Sequence, residues 1–117
     1  MTAMLTDSGL ETWLVFHRNV ELPDVAAVPW LDDAQGGALL VGVLPRPPSP
    51  GPRRGSRHGL ETPTRRADPD WGARLGYDAV ALDRVNRDAV AFVRELADEI
   101  HGVNVVVSGN IGPRRDG

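Results

Sequence analysis

The clearest hydrophobic pattern in the chain lies between Asp78 and Ile100. Apolar residues recur there at spacings of three and four, the period of an amphipathic α-helix, and charged residues occupy the opposite face. The apolar set is Val85, Ala89, Phe92, Val93, Leu96 and Ile100. Asp78 is suited to cap the start of this helix, and Gly102 is suited to cap its end. The pattern predicts one long helix that buries a single face.

A nearly continuous β-branched run follows that helix, from Val103 to Ser108. Such a run is typical of a parallel strand that is covered on both faces. A helix followed by a buried strand is the rhythm of an α/β fold. The strand leads into a loop from Gly109 to Pro113, and parallel α/β folds place their binding sites in loops at the carboxyl ends of strands.

Weaker patterns precede the long helix. An apolar stretch from Thr2 to Thr6 predicts a short strand followed by a turn. Interrupted apolar positions predict two short helices, Asp24 to Asp32 and Asp33 to Val43, each with an aspartate at its start. The stretch from Asp68 to Trp71 predicts a turn that leads into a short helix ending before Gly76.

The segment from Pro45 to Arg57 is drawn only from proline, arginine, serine and glycine. Because it offers no side chain that builds a core, we predict an irregular segment that is neither a helix nor a central strand. Three interpretations stay open: a basic, polyproline-like docking segment, a disordered loop, or the product of a local frame error in a GC-rich gene.

Composition and charge narrow the classes of function. A net charge of -3 and a pI near 5.5 give no electrostatic reason to expect nucleic acid or an anionic membrane as a partner. With neither a membrane-length apolar run nor a signal-peptide pattern, we expect a cytoplasmic protein. The chain has no cysteine, so it offers no thiolate ligand for zinc. His17, His58 and His101 lack a metal-like spacing, and we interpret all three as surface or loop residues.

Several separated segments match a single family pattern. In chain order they are Thr6 to Thr12, Glu61 to Thr64, Arg66 to Gly72, Leu75 to Asp78, Val85 to Arg87 and Ser108 to Arg114. In this order and spacing they resemble the N-terminal part of the homocysteine S-methyltransferases. The match covers nearly the whole chain except Val41 to Gly59, and its specificity comes from the ordered set.

The resemblance implies that residues 1–117 form the N-terminal part of a TIM-type (β/α)8 barrel, with about three strands, incomplete as a domain. In that family a cysteine-bound zinc ion holds homocysteine as a thiolate, and its sulfur attacks a methyl donor to give methionine. The family's cysteines lie downstream of the position that matches Gly117. We therefore assign no catalytic residue and no metal ligand to this chain, and expect it to be inactive alone.

The resemblance also implies a set of substrate-binding residues at the carboxyl ends of the first three strands. They are Asp7, Ser8, Gly9, Glu11, Thr62, Thr64, Asn110 and Gly112. Ser8 replaces a family glycine, and Glu11 either binds the substrate's amino group or caps a helix. Thr62 and Thr64 either line the pocket mouth or form a simple turn. Arg115 interrupts the family's Pro-Arg-Gly-Asp-Gly sequence.

Three classes of function stay open from the residues alone. The first is a homocysteine S-methyltransferase-like chain whose partners are homocysteine and a methyl donor. The second is a non-catalytic α/β remnant or binding module, and the third is an unrelated α/β binding domain. Three strands do not close a barrel, so we also expect self-association through uncovered sheet edges.

Overall fold

The computed structural model describes residues 4–6, 18–19, 21–22, 24, 26–43, 57–101 and 104–115. In chain order its elements are β1 (Met4–Thr6), a 3-10 helix (Val28–Leu31), α1 (Ala34–Val43), β2 (Arg57–Glu61), α2 (Pro69–Arg74), α3 (Ala79–Asp98) and β3 (Asn104–Ser108). These elements form a small α/β domain, as the alternation of helical and strand patterns predicts.

The three described strands form one parallel sheet in the order β1-β2-β3. Leu5 pairs with His58 in one register, and His58 pairs with Val105 in the other. Parallel neighbours need a crossover connection, and α2 and α3 lie in the connection between β2 and β3. All three carboxyl ends therefore lie at one edge of the sheet.

Helix α3 forms where its hydrophobic period predicts it. Asp78 caps its start, since the backbone of Asp78 is extended and its Oδ1 accepts a 2.8 Å hydrogen bond from the Ala81 amide. The helix ends two residues earlier than predicted, with Glu99 as its C-cap. Its buried residues are Leu82, Val85, Ala89 and Val93. Gly102 lies outside the described residues.

The 3-10 helix joins α3 to α1 in the core. Val28 packs in one cluster with Leu82 and Val85 of α3, and Ala27 packs with Leu40 of α1. Phe92, also from α3, is half-buried against that second cluster. The hydrophobic face of α3 is therefore covered by the segment that precedes α1.

The predicted helix from Asp24 to Asp32 is wrong in its length. Among the described residues of this stretch, Ala26 and Ala27 are not helical, and the four-residue 3-10 helix Val28–Leu31 follows them. Asp24 has a left-handed backbone with φ of 50° instead of the extended conformation of an N-cap. The next prediction is confirmed: α1 covers Ala34–Val43, and Asp33 Oδ2 accepts a 3.1 Å hydrogen bond from the Gly36 amide.

The prediction that β3 is covered on both faces is also wrong for the described residues. Asn104 and Val106 on one face are exposed, and Val106 keeps 36% of its surface accessible. On the other face, Val105 and Val107 are half-buried. The β-branched run correctly indicated a parallel strand, but periodicity along one strand carries no information about what lies against the sheet.

Two predictions on β2 need correction. Arg57, the last residue of the segment predicted as irregular, begins β2, which is the central strand of the described sheet. Residues 45–56 of that segment lie outside the described residues. His58 is 7% exposed and not a surface residue, because the strand carries it into the sheet between Leu5 and Val105. His101 is exposed, and His17 lies outside the described residues.

Candidate functional site

Four of the predicted site residues lie at the carboxyl edge of the sheet. Thr62 and Thr64 follow β2 directly, whereas Asn110 and Gly112 follow β3. The register pairs the last residues of the two strands, so both loops begin side by side. The remaining predicted site residues lie outside the described residues; they are Asp7, Ser8, Gly9 and Glu11.

Three residues close a ring of three hydrogen bonds between the two loops. Thr64 Oγ1 donates to the Asn110 carbonyl at 2.8 Å, and the Asn110 amide donates to Thr62 Oγ1 at 3.0 Å. The two hydroxyl oxygens are 2.7 Å apart. A hydroxyl has one hydrogen, and that of Thr64 is used on Asn110, so Thr62 must donate to Thr64. The ring fixes the direction of every bond in it.

This ring changes what the threonines offer to a ligand. Both hydroxyl hydrogens are used inside the protein, so Thr62 and Thr64 keep only oxygen lone pairs for other partners. Both side chains are also buried, at 2% and 7% exposure. Their main physical effect is to hold the loop after β3 against the loop after β2. From the sequence alone, lining the pocket mouth and forming a simple turn were equal alternatives for Thr62 and Thr64.

Gly112 provides a close approach between the same two loops. A Cβ at this position would collide with the backbone carbonyl oxygen of Arg65, and it would meet the Arg65 carbonyl carbon at 2.9 Å. Gly109, three residues earlier, has open space in the corresponding direction. Glycine is therefore required at position 112, because its backbone packs directly against the backbone of Arg65. Gly112 has no side chain that could contact a substrate.

The end of the same loop is tied to α2. Arg114 makes two 2.9 Å hydrogen bonds to the Asp70 carboxylate, and this pairing lowers the pKa of Asp70 below its usual value. Trp71 Nε1 donates to the Arg115 carbonyl at 3.4 Å. The Arg114–Asp70 pair is exposed, so it fixes geometry more than it adds stability.

Arg115 has a strained backbone where the family resemblance has glycine. Its φ is 65°, in the left-handed region that glycine adopts readily and that costs other residues energy. The resemblance showed only that Arg115 interrupts the family's Pro-Arg-Gly-Asp-Gly sequence, and it predicted no backbone strain at Arg115. Asp116 lies outside the described residues.

Glu61 is a polar residue at this edge that sequence reasoning did not single out. It is the last residue of β2, it is half-buried, and its Oε2 accepts a 3.3 Å hydrogen bond from Asn110 Nδ2. The sequence contained a signal for this residue, because Glu61 is the first residue of the matched segment Glu61 to Thr64 and lies at the end of a strand. The hydroxyls of the two threonines in that segment are hydrogen-bonded to the backbone of Asn110.

Trp71 is a core residue. It is 5% exposed, and the Arg66 guanidinium lies 3.7 Å from its ring centroid. A shallow groove of about 420 Å³ lies beside it, lined in part by Arg74 and Asp70. Arg74 is paired with Asp24 at 3.2 Å. The charges of Arg74 and Asp70 are therefore already paired within the protein, and Thr62 and Asn110 are not among the residues that line the groove.

The residues present do not fit a thiolate-bound zinc ion. The chain has no cysteine, and among the described residues no three histidine, aspartate or glutamate side chains are grouped to hold a metal. His58 is buried with no hydrogen-bond partner at Nε2, but it stands alone on the central strand. No zinc-dependent step is derived for these residues.

No helix in the described part of the chain is long and apolar enough to cross a membrane. Comparison of the chain with protein-family models, with curated proteins and with solved structures found no match.

Proposed function

We propose that this chain is the N-terminal part of a homocysteine S-methyltransferase-like (β/α)8 barrel, and that it binds the amino-acid substrate without transferring a methyl group by itself. The ordered set of matching segments supports this proposal. The sequential parallel order β1-β2-β3 supports it too, since a barrel adds each new strand beside the last one.

The observation that carries the proposal is the junction of the loops after β2 and β3. The family resemblance assigns Thr62, Thr64 and Asn110 to one substrate pocket, although Asn110 lies 46 residues after Thr64 in the chain. Their hydrogen-bonded ring places all three within one small patch of the sheet's carboxyl edge. That edge is where parallel α/β enzymes bind their substrates.

The residues of this chain do not supply the groups that the family uses for methyl transfer. A free thiol is mostly protonated near pH 7, and the family uses a metal to stabilise the thiolate. This chain lacks the ligands for that metal. Its contribution within the proposal is to recognise the amino-acid portion of the substrate.

The second candidate is a non-catalytic α/β binding module. The observation that favours it is the exposed face of β3, where Asn104 and Val106 meet solvent. An exposed apolar side chain such as Val106 is available for contact with another polypeptide. In this case the chain pairs with another polypeptide and has no affinity for homocysteine.

Calorimetry of the purified 117-residue chain separates these candidates. L-homocysteine is titrated in the presence and in the absence of zinc, and zinc alone is titrated as the control. We expect weak binding of homocysteine, with a Kd on the order of 1 mM, that zinc does not strengthen. The absence of any homocysteine binding would favour the non-catalytic module. Tight, zinc-dependent binding would mean that other residues replace the cysteines, and our description of the site would be wrong.

A further inference from the structure

The groove beside Trp71 is formed by α2 and by the end of the loop after β3. Pro69 and Ala73 are four residues apart and lie on one face of α2. Asp70 and Arg74 have the same spacing on the adjacent face. The six lining residues are Pro69, Asp70, Trp71, Ala73, Arg74 and Arg115. The groove therefore combines a short apolar strip with three charged side chains.

The charges at the groove leave one cation without a partner. Both carboxylate oxygens of Asp70 accept 2.9 Å hydrogen bonds from Arg114. Arg74 is paired with Asp24 at 3.2 Å. The guanidinium of Arg115 makes no hydrogen bond or ion pair with another described residue. With the other two charges paired, Arg115 leaves one positive charge at the groove.

The backbone of Arg115 is fixed against the groove. Trp71 Nε1 donates a 3.4 Å hydrogen bond to the Arg115 carbonyl. The charge of Arg115 also reaches Asp70. The Arg114 hydrogen bond is the main cause of the lowered pKa of Asp70, and the positive charge of Arg115 contributes to it. The guanidinium of Arg115 therefore acts on the same face of α2 that lines the groove.

Arg115 has a backbone conformation that is costly for any residue except glycine. Its φ is 65°, and its Cβ makes that conformation less favourable. Strained residues of this kind cluster at ligand sites, where the surrounding structure holds them in place. Here the strained residue is also the lining cation that has no partner in the described chain. Together the two observations indicate a ligand that Arg115 binds.

A small carboxylate with an apolar body fits this groove. The guanidinium fork matches the two oxygens of a carboxylate. One negative charge matches the unpaired charge of Arg115, whereas a phosphate dianion would bring a second charge towards Asp70. Pro69 and Ala73 are exposed and offer apolar surface to the carbon part of the ligand. The volume of about 420 Å³ is in the range of small-molecule sites.

We infer that the groove binds a small organic monocarboxylate, with Arg115 pairing with the carboxylate and with Pro69 and Ala73 covering the apolar part. This inference goes beyond the proposed function and does not depend on it, since Thr62 and Asn110 do not line the groove. It gives the unpaired guanidinium and the strained backbone of Arg115 one common cause.

The test uses benzoate as the probe and the NMR shifts of the 117-residue chain as the readout. We expect saturable shifts of the Trp71 indole N–H and of the Arg115 backbone amide. Arg115→Gln removes the charge but keeps a long polar side chain, and should weaken benzoate binding roughly fivefold or more. Arg94→Gln makes the same change at an exposed position on α3, and should bind like the wild type.

Arg115→Gly keeps the test decisive if Arg115→Gln fails to fold, because glycine adopts a positive φ readily. This variant should remain folded and lose benzoate binding. Benzoate binding that is equal in the wild type and in the Arg115 variants, or the absence of any response to benzoate, would overturn the inference.

Two further probes, titrated into the wild type, test the chemical class of the ligand. Benzamide has the shape of benzoate without its charge, and we expect it to produce no saturable shift. Inorganic phosphate has the charge without the apolar body, and should bind more weakly than benzoate. A response to benzamide equal to that of benzoate would overturn the role of Arg115. Tighter binding of phosphate would overturn the assignment to a carboxylate.

Discussion

The hydroxyl of Thr64 donates a 2.8 Å hydrogen bond to the backbone carbonyl of Asn110, 46 residues further along the chain. The bond connects the loop after β2 to the loop after β3. It also sets the direction of the Thr62 hydroxyl, and so completes a ring of three bonds. The candidate site depends on this connection, because α2, α3 and β3 separate the two loops along the chain.

Thr64→Val should destabilise the fold by about 1–2 kcal/mol. The substitution keeps the shape, but it leaves the Asn110 carbonyl and the Thr62 hydroxyl hydrogen without their partners. Thr64→Ser keeps the hydroxyl and is the matched control, with a smaller loss. Urea denaturation measures both free energies of unfolding. Equal losses for the two variants would show that the hydroxyl contributes nothing to loop packing.

Gly112→Ala should destabilise the fold much more than Gly109→Ala. A Cβ at position 112 collides with the Arg65 backbone carbonyl, and a backbone neighbour moves less easily than the end of a side chain. The cost of such overpacking is about 1–3 kcal/mol. At position 109 a Cβ meets open space, so we expect a change within about 0.5 kcal/mol. Thermal melts of the two variants give the comparison, and similar melting temperatures would contradict the close approach.

Tyr77 provides a pH test of the link between α3 and the 3-10 helix. Burial, together with the 2.8 Å hydrogen bond that its hydroxyl donates to Asp32, raises the pKa of Tyr77 to about 12. Arg84 also binds Asp32, and its hydrogen bond lowers the pKa of that carboxyl. The chain has one tyrosine, no lysine and no cysteine, so no other side chain of ordinary pKa titrates between pH 10 and 12.

The sign of the effect follows from the raised pKa. The unfolded chain releases the Tyr77 proton near pH 10, and the folded chain holds it to about pH 12. The stability that this proton contributes is therefore complete below pH 10, and it is lost as the pH rises towards 12. Tyr77→Phe should remove that loss, which unfolding at a series of pH values measures. A Tyr77 that ionises at pH 10 in the folded chain, seen by its absorbance, would contradict the contact.

Asp32→Asn separates the two causes of the raised pKa. It removes the charge beside the Tyr77 hydroxyl but leaves the burial, which is the larger cause, so the pKa of Tyr77 should fall only part of the way towards 10. Asp88→Asn is the control, since Asp88 contacts Arg84 and not Tyr77. It should leave the ionisation of Tyr77 nearly unchanged.

Arg115→Gly should stabilise the chain by about 1 kcal/mol. Arg115 has a φ of 65°, which glycine adopts without the steric cost that a Cβ brings. Part of the gain is offset because glycine also has more freedom in the unfolded chain. Arg114→Gly is the contrasting change, since it removes the pair with Asp70 at a described position where φ is not positive. A loss of stability in Arg115→Gly would show that the left-handed backbone carries no strain.

The exposed face of β3 should promote self-association. Val106 is 36% exposed at the middle of a strand that has no charged residue, and such strands lack the usual protection against pairing with other chains. Val106→Glu should lower the association seen by sedimentation velocity. Val80→Glu, at a position 78% exposed on α3, is the control and should not. A wild-type monomer with a sharp, concentration-independent melt would contradict this prediction.

Much of the local structure could be predicted from the chain because it depends on neighbours in sequence. The apolar spacing from Val85 to Val93 determines which face of α3 is buried, and the aspartate at position 78 determines where the helix begins. Asp33 starts α1 for the same reason. The order of helix and strand also indicates a parallel α/β sheet, since parallel neighbours require a long connection.

The candidate site was predicted only in part. The family resemblance placed Thr62, Thr64 and Asn110 in one pocket, and the structure brings them into hydrogen-bond contact. It did not predict that the hydroxyls bind the opposite loop, or that Glu61 is the charged group beside Asn110. Hydroxyl direction and side-chain partners depend on distances across strands, and the sequence does not contain those distances.

The sequence by itself determined the period of α3, the aspartate caps of α1 and α3, the parallel strand type and the absence of cysteine ligands, because each follows from residue identity and local spacing. Tertiary structure alone decided that His58 is buried, that Val106 is exposed, and that Gly112 must pass the Arg65 carbonyl. These outcomes depend on which surfaces the sheet and helices bring together, and that is a property of the packed chain.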